Sequence, residues 1–285
     1  LPDIIHCIIP CNSLCQTLSE YKQNHKVQLI FDVNDLWPES LPVGNFKYRF
    51  PFTLWKNRRD KYIDNANIVL SECNYFKEIL HKTKDPKWHT LLFAKKVMPL
   101  NTHASLKPDE LNFCYLGSIN NIIDIELIID FLCACSNARK VGLHIIGGGE
   151  KKELLISGLK NHAVNVIDHG YIFDQDEKQH ILDQCNYGLN IMKDTVMVGL
   201  TMKSMDYMCG GLPLINTIKG DTAKICDEYQ VGYNINKNNL NDIVSKISLE
   251  TVEENQIKRE KIKNIFISKF TQKAFNETLE RIGIL

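Results

Sequence analysis

The sequence has no apolar run approaching the ~18 residues that a membrane-crossing helix needs, so no span is expected. It has no excess of either charge: 34 Lys and Arg face 34 Asp and Glu, for a formal net charge of zero. That balance removes any global argument for nucleic acid as a partner and leaves only local basic patches. There is no internal repeat and no low-complexity stretch. No G-x-S-x-G elbow occurs, and no G-x-G-x-x-G turn opens a helix, which argues against a serine hydrolase and a simple dinucleotide enzyme. The chain opens with Leu1 rather than Met, and Leu-Pro-Asp before a strand is not a targeting peptide. An upstream portion is therefore expected to be missing.

Cysteine is plentiful, with ten residues, but the spacings of a zinc site or a disulfide framework are absent. Cys7, Cys11 and Cys15 recur every four residues, yet they fall on an apparent strand, loop and helix. Free thiols in a reducing, cytoplasmic setting are the simpler reading. No metal and no cofactor are expected. Asp174-Gln175-Asp176 has the form of an acidic metal motif, but its position before Glu177 makes it a helix cap.

What is present is alternation. Apolar residues make up 44% of 285, enough for one large core or two ordinary ones. Short apolar runs such as 3–9, 27–33, 67–71 and 90–93 alternate with amphipathic helical stretches. This pattern implies parallel strands joined by crossover helices. Residues 95–110 break it with Pro99 and Pro108 and read as a linker. The alternation restarts at Asn112 and continues to a short strand at 232–235; the tail from Leu240 is nearly all helix. The fold class is therefore α/β, with two successive Rossmann-like lobes. The divisions are 1–105, 106–250 and a helical tail 251–285. In open parallel sheets a ligand binds beyond the carboxyl ends of the strands.

The segment from Val198 to Pro213 carries the most chemistry. Gly199 permits close backbone approach, and Thr201 is placed to cap a helix whose first amides attract phosphate. Lys203 adds a point charge, and Asp206, about one turn on, can accept from both hydroxyls of a ribose. An isolated Lys-x-x-Asp is usually a solvated helical pair. Here the glycines, Pro213 and the strand-helix-strand frame argue for a site.

The stretch "GLTMKSMDYMCGGLPLIN" resembles the C-terminal half of retaining GT-B glycosyltransferases of the family 4 type. It is most similar to bacterial members that build capsule, exopolysaccharide or O-antigen chains. "FCYLGSINNIIDIELIIDFL", "LHIIGGGEKKEL", "VNVIDHGYI" and "INTIKGDTAKI" extend the likeness through the second half, and "PDIIHCIIP", "VQLIFDVNDLWPESL" and "NANIVLSECNYFKEIL" through the first. The resemblance implies a GT-B fold whose first lobe lacks its N-terminal strand and loop. It implies transfer of a hexose from a nucleoside diphosphate sugar to a growing surface glycan with retention, and a glycan or lipid-linked acceptor.

It also implies site residues. Asp206 falls where the family holds the donor ribose, and the backbone from Gly199 through Leu200 and Thr201 to Met202 falls where it cradles the diphosphate. Gly117 and Ser118 end the first strand of the donor lobe, and Gly220, Asp221 and Thr222 open another helix towards the same cleft. Asp35, grouped with Asp32 and Glu39, is the candidate for orienting or deprotonating the acceptor. Two departures stand out. The family's earlier acidic position is Val198, and the usual nearby Arg is replaced by Ser118, Asn120 and Asn121. These favour a rival reading, a non-catalytic partner subunit of another transferase or an inactive fragment; a two-lobed sugar-nucleotide epimerase is a further one. Finally, Lys47, Arg49, Lys56, Arg58 and Arg59, with Phe46, Tyr48, Phe50, Phe52 and Trp55, form a candidate peripheral membrane surface.

Overall fold

The computed structural model describes residues 1–41, 43–97 and 104–284. Pro99 and Leu100 of the expected linker lie outside these residues.

The first lobe is a four-stranded parallel sheet in sequential order: β1 (Ile4–Ile9), β2 (Gln28–Val33), β3 (Ile68–Ser71) and β4 (Trp88–Thr90). The crossovers are α1 (Asn12–Asn24), α2 (Phe52–Tyr62) and α3 (Asn74–Ile79). β2 reads Leu-Ile-Phe without polar alternation because both its faces are covered. Leu29, Phe31 and Val33 join one core cluster. Ile30 turns to the opposite face with Leu70 and Leu91. β4 begins at Trp88, two residues before the expected strand, because buried Trp88 is the partner of Val69. Leu91 then closes the pairing through Ser71, and the chain leaves the sheet.

The second lobe is a six-stranded parallel sheet in the order β10-β9-β8-β5-β6-β7. Its elements are β5 (Glu110–Leu116), α4 (Ile125–Ser136), β6 (Lys140–Ile146), α5 (Lys152–Leu159), β7 (Val164–Gly170), α6 (Gln175–Leu182) and β8 (Tyr187–Asn190). They continue with α7 (Met202–Cys209), β9 (Leu214–Asn216), α8 (Asp221–Tyr229), β10 (Gly232–Asn234) and α9 (Leu240–Leu249). Counted within the lobe this is 3-2-1-4-5-6, the order of a doubly wound sheet built from two mononucleotide-binding halves, with its switch point between β5 and β8. Asp174 caps α6 by accepting from the Glu177 amide at 2.8 Å, a bond worth about 1 kcal/mol.

The tail forms α10 (Val252–Lys269), opened by a Thr251–Glu254 capping box, and α11 (Gln272–Arg281). Phe275 and Leu279 of α11, with Ile282 just after it, pack on Ile30, Leu70 and Leu91, so the last helix covers the first sheet. Among the described residues no helix is long and apolar enough to cross a membrane.

One surface expectation is corrected. Arg59 is fully buried rather than displayed, and its guanidinium forks onto Glu39 at 2.7 and 2.9 Å. Lys56 also approaches Glu39, and Lys47 donates to the Glu39 carbonyl. A buried guanidinium requires a carboxylate partner, so Glu39 is committed to the fold of the segment and is removed from the group with Asp32 and Asp35.

Candidate active site

The switch point is built by Tyr207. Its hydroxyl accepts from the Leu116 amide at 2.7 Å and donates to the Cys114 carbonyl at 3.0 Å, so one phenol satisfies backbone groups where β5 and β8 part. Gly188 leaves room for the ring: a Cβ there would lie 2.6 Å from it. Asn190, at the end of β8, donates to Ser204 Oγ at 3.0 Å and to Asn216 Oδ1 at 2.8 Å, joining α7 to β8 and β9. Thr201 caps α7 by accepting from the Ser204 amide at 3.0 Å. The amides of Met202 and Lys203 remain as the first donors of that helix.

Lys203 is aimed across the switch point. Its Nζ donates to Tyr115 Oη at 2.8 Å and stands 4.0 Å from the centre of the ring. Tyr115 in turn donates to the Ser118 carbonyl at 3.0 Å, so lysine, phenol and strand-end loop form one chain. Gly117, with φ 105°, closes the arrangement; a Cβ there would be 3.7 Å from the Lys203 side chain. No carboxylate pairs with Lys203 among the described residues, and burial pushes its pKa down to about 7. A cation so placed attracts an anion strongly. Gly117, Ser118, Thr201 and Lys203 are therefore brought together.

Asp206 is placed differently. It is held by Lys95 and lies 3.8 Å from Lys178. These groups line a small cavity of about 180 Å³ with Gln175 and Gln179 of α6. A ribose binding Asp206 would have to share or displace these cations. Ahead of α6 the chain leaves β7 through Tyr171 and Phe173, which are 71% and 85% exposed and stacked at 6.5 Å.

The second expected phosphate contact, at Gly220, Asp221 and Thr222, does not face open space, and neither does Gly199 at the start of the first. A Cβ on Gly199 or Gly220 would lie 2.6 or 2.5 Å from Tyr75 Cβ, so the first lobe sits directly on both glycines. Thr222 gives its amide and hydroxyl to the Gly199 carbonyl, both at 2.9 Å. Asp221 accepts from the amides of Asn74 and Tyr75 at 3.0 and 2.8 Å and from Asn74 Nδ2 at 2.9 Å. The second lobe thus caps α3 of the first. Leu200 is buried beneath this junction.

On the first lobe, Asp32 meets His6 at 3.1 Å, and Asp35 stands exposed beyond β2. A group that no sequence motif singled out is Glu72, which follows β3. Burial, then the carboxylates of Asp35, Asp32 and Asp221, raises the Glu72 pKa to about 8. It is thus a neutral acid at neutral pH, able to donate a hydrogen bond. Only the folding together of β2, β3 and α8 creates this environment, so no local pattern announces it.

No protein-family model and no curated protein matches the sequence. Among solved structures the chain is similar to TarM of S. aureus, a mutant in complex with fondaparinux, alpha-GlcNAc-glycerol and UDP: 17% identity, TM-score 0.65, covering 92% of this chain and 52% of that one. It is similar to the lipopolysaccharide outer core galactosyltransferase WaaB, with 14% identity, TM-score 0.64 and coverage of 98% and 74%. It is similar to Anabaena HepE in complex with UDP and glucose, with 12% identity, TM-score 0.67 and coverage of 99% and 78%. The chain spans about half the length of the TarM structures it matches. These neighbours are GT-B glycosyltransferases, and together with the two parallel sheets they show that the chain has the GT-B fold of two Rossmann-like lobes.

Proposed function

We propose that the chain is a glycosyltransferase that moves a hexose from a nucleoside diphosphate sugar to a growing surface glycan with retention of configuration. The observation that carries the reading is Lys203: a partly enclosed lysine that pairs with no carboxylate among the described residues, at the switch point of a doubly wound sheet, beside the first amides of α7. Solved neighbours in complex with UDP support it. In the reaction the bond between the anomeric carbon and the diphosphate oxygen breaks, and the acceptor oxygen bonds that carbon on the face the diphosphate leaves, which keeps the configuration. The departing diphosphate keeps the electron pair and is stabilised by Lys203 and the α7 amides. Asp35, exposed beyond β2, orients the acceptor hydroxyl or takes its proton. Asp206 holds the ribose, and the Tyr171–Phe173 pair offers the base an aromatic surface. No step is routed through a metal.

The test is a thermal-shift titration with UDP, GDP and dTDP and their hexose conjugates, followed by an assay of hexose release. Stabilisation by one base supports the reading; no shift with any of them sinks it.

A second reading, a non-catalytic partner subunit, is favoured by the contact of Tyr75 with Gly199 and Gly220, which fills one expected diphosphate cradle. Donor binding without turnover, restored on adding a second transferase, would select it. The reading places the chain in the cytoplasm, at the inner membrane face. Phe46, Tyr48 and Phe50, 64%, 67% and 80% exposed beside Arg49, supply the contact. Replacing the three rings by Ser without loss of binding to anionic vesicles would refute that contact.

A further inference from the structure

A cavity of about 790 Å³ opens between α3, the edge strand β4 and α11, away from the switch point. Its wall carries Lys77, His89, Lys269 and Arg281 against a single carboxylate, Glu277. This is a concentration of positive charge on a chain whose formal net charge is zero. Its size falls within the range of small-molecule sites, roughly 300–1,000 Å³.

The carboxylates around it are committed elsewhere. Glu277 leans to Lys273 at 3.7 Å. Asp221 is bound to the amides of α3, and Glu78 to Lys224. Lys269 is 5.8 Å from the ring of Tyr229. The side chains of Lys77 and Arg281 make no hydrogen bond or ion pair among the described residues. Burial lowers the Lys77 pKa against the opposing pull of nearby Asp221 and Glu78, and burial together with Lys77 and Arg281 disfavours the proton on His89. A half-buried cation that has lost hydration without gaining a carboxylate in contact carries a cost, and an anion in the cavity would offset it.

Around these cations Thr90, Ser268 and Thr278 supply hydroxyl oxygens, and Trp88 and Phe275 supply apolar walls. Arg recognises phosphate with two parallel donors, and Lys adds a point charge. We propose that this cavity binds a phosphate monoester of a sugar or polyol, with Lys77 and Arg281 holding the phosphate and the hydroxyl groups holding the body. The site is separate from the donor cleft, and it stands whether or not the transferase reading does. Asn74 lines the cavity while donating to Asp221, so the ligand lies beside the junction of the lobes.

The test is calorimetric titration of the whole chain at low salt with glycerol 3-phosphate, with inorganic phosphate and glycerol as separate arms. Saturable binding of glycerol 3-phosphate is expected, weaker for phosphate and absent for glycerol. Lys77→Ala and Arg281→Ala should each weaken it by at least about tenfold, the loss of a charge-assisted hydrogen bond, and Lys203→Ala should leave it unchanged. No saturable binding of either phosphate arm would overturn the proposal, as would glycerol binding equally well. Loss in Lys203→Ala without loss in the cavity variants would overturn it too, by assigning the phosphate to the donor cleft. Circular dichroism checks folding; Arg281→Gln, on the last turn of α11, carries the test if Lys77→Ala fails to fold.

Discussion

Asp221 and Tyr75 belong to different lobes, yet the Asp221 carboxylate accepts the Tyr75 amide at 2.8 Å while its other oxygen accepts from Asn74. A helix start normally finds its acceptor in its own N-cap. The residue at that position of α3 is Cys73, which makes no side-chain cap. The second lobe supplies the missing cap, and the cap becomes a clamp.

Asp221→Ala leaves the start of α3 uncapped at a buried junction. The loss of a charged acceptor there should cost about 2–4 kcal/mol. Denaturant unfolding reads the cost, and small-angle scattering should show a larger radius of gyration as the lobes separate. An unchanged midpoint and radius would remove the clamp from the account.

Lys203 predicts a pH dependence. Its pKa of about 7 in the fold lies below its ordinary value of 10.5, so between these limits the unfolded chain holds more protons. Stability should therefore rise with pH from about 7 to 10.5, through this group. Affinity for a nucleoside diphosphate moves the other way, because only the charged lysine attracts it. The dissociation constant should rise above pH 7 and should cease to do so in Lys203→Met. A flat affinity profile from pH 6 to 9 would count against the diphosphate role.

Glu72 has the opposite sign. Its pKa of about 8 lies above the ordinary 4.5, so the fold favours the protonated acid. The stability it confers is complete below pH 4.5 and is lost as pH rises through about 8. Glu72→Gln, which imitates the neutral acid, should stabilise the protein at pH 8 and have little effect at pH 4.5. Equal effects at both would show that Glu72 is ionised throughout.

Asp206→Ala should raise the donor dissociation constant by at least about tenfold, as expected for losing bonds to a charged acceptor. It also releases Lys95 and Lys178. A donor that binds through its diphosphate alone would leave affinity unchanged, and the ribose assignment would fall.

The order of elements was legible because it rests on local patterns. Both-sided apolar strands such as β2 and β6, the Asp174 cap and the glycine after α7 each declare themselves within a few residues. Thr201 capping Ser204 is of the same kind. β4 was harder, since "LLF" is more apolar than "WHT" and only the register with Val69 selects the latter. The candidate site divides along the same line. Gly117, Thr201 and Lys203 meet because β5 pairs with β8, the strand that leads into α7, in a sheet whose order follows from its class.

Glycine at a helix start reads the same whether it faces a phosphate or a tyrosine, so Gly199 and Gly220 were ambiguous in the sequence. Tyr75, more than 120 residues earlier, decides between the two. Arg59 and Glu39 look like surface charges in the chain and become a buried fork only when α2 lies down beside the loop after β2. The sequence alone was enough for the α/β class, the two lobes and the position of the lysine-bearing helix, because periodicity and capping act over one or two turns. The clamp, the neutral Glu72 and the basic cavity beside α11 were decided by tertiary structure. Charge, burial and hydrogen-bond partners belong to groups brought close in space, and the strands and helices that carry them are far apart along the chain.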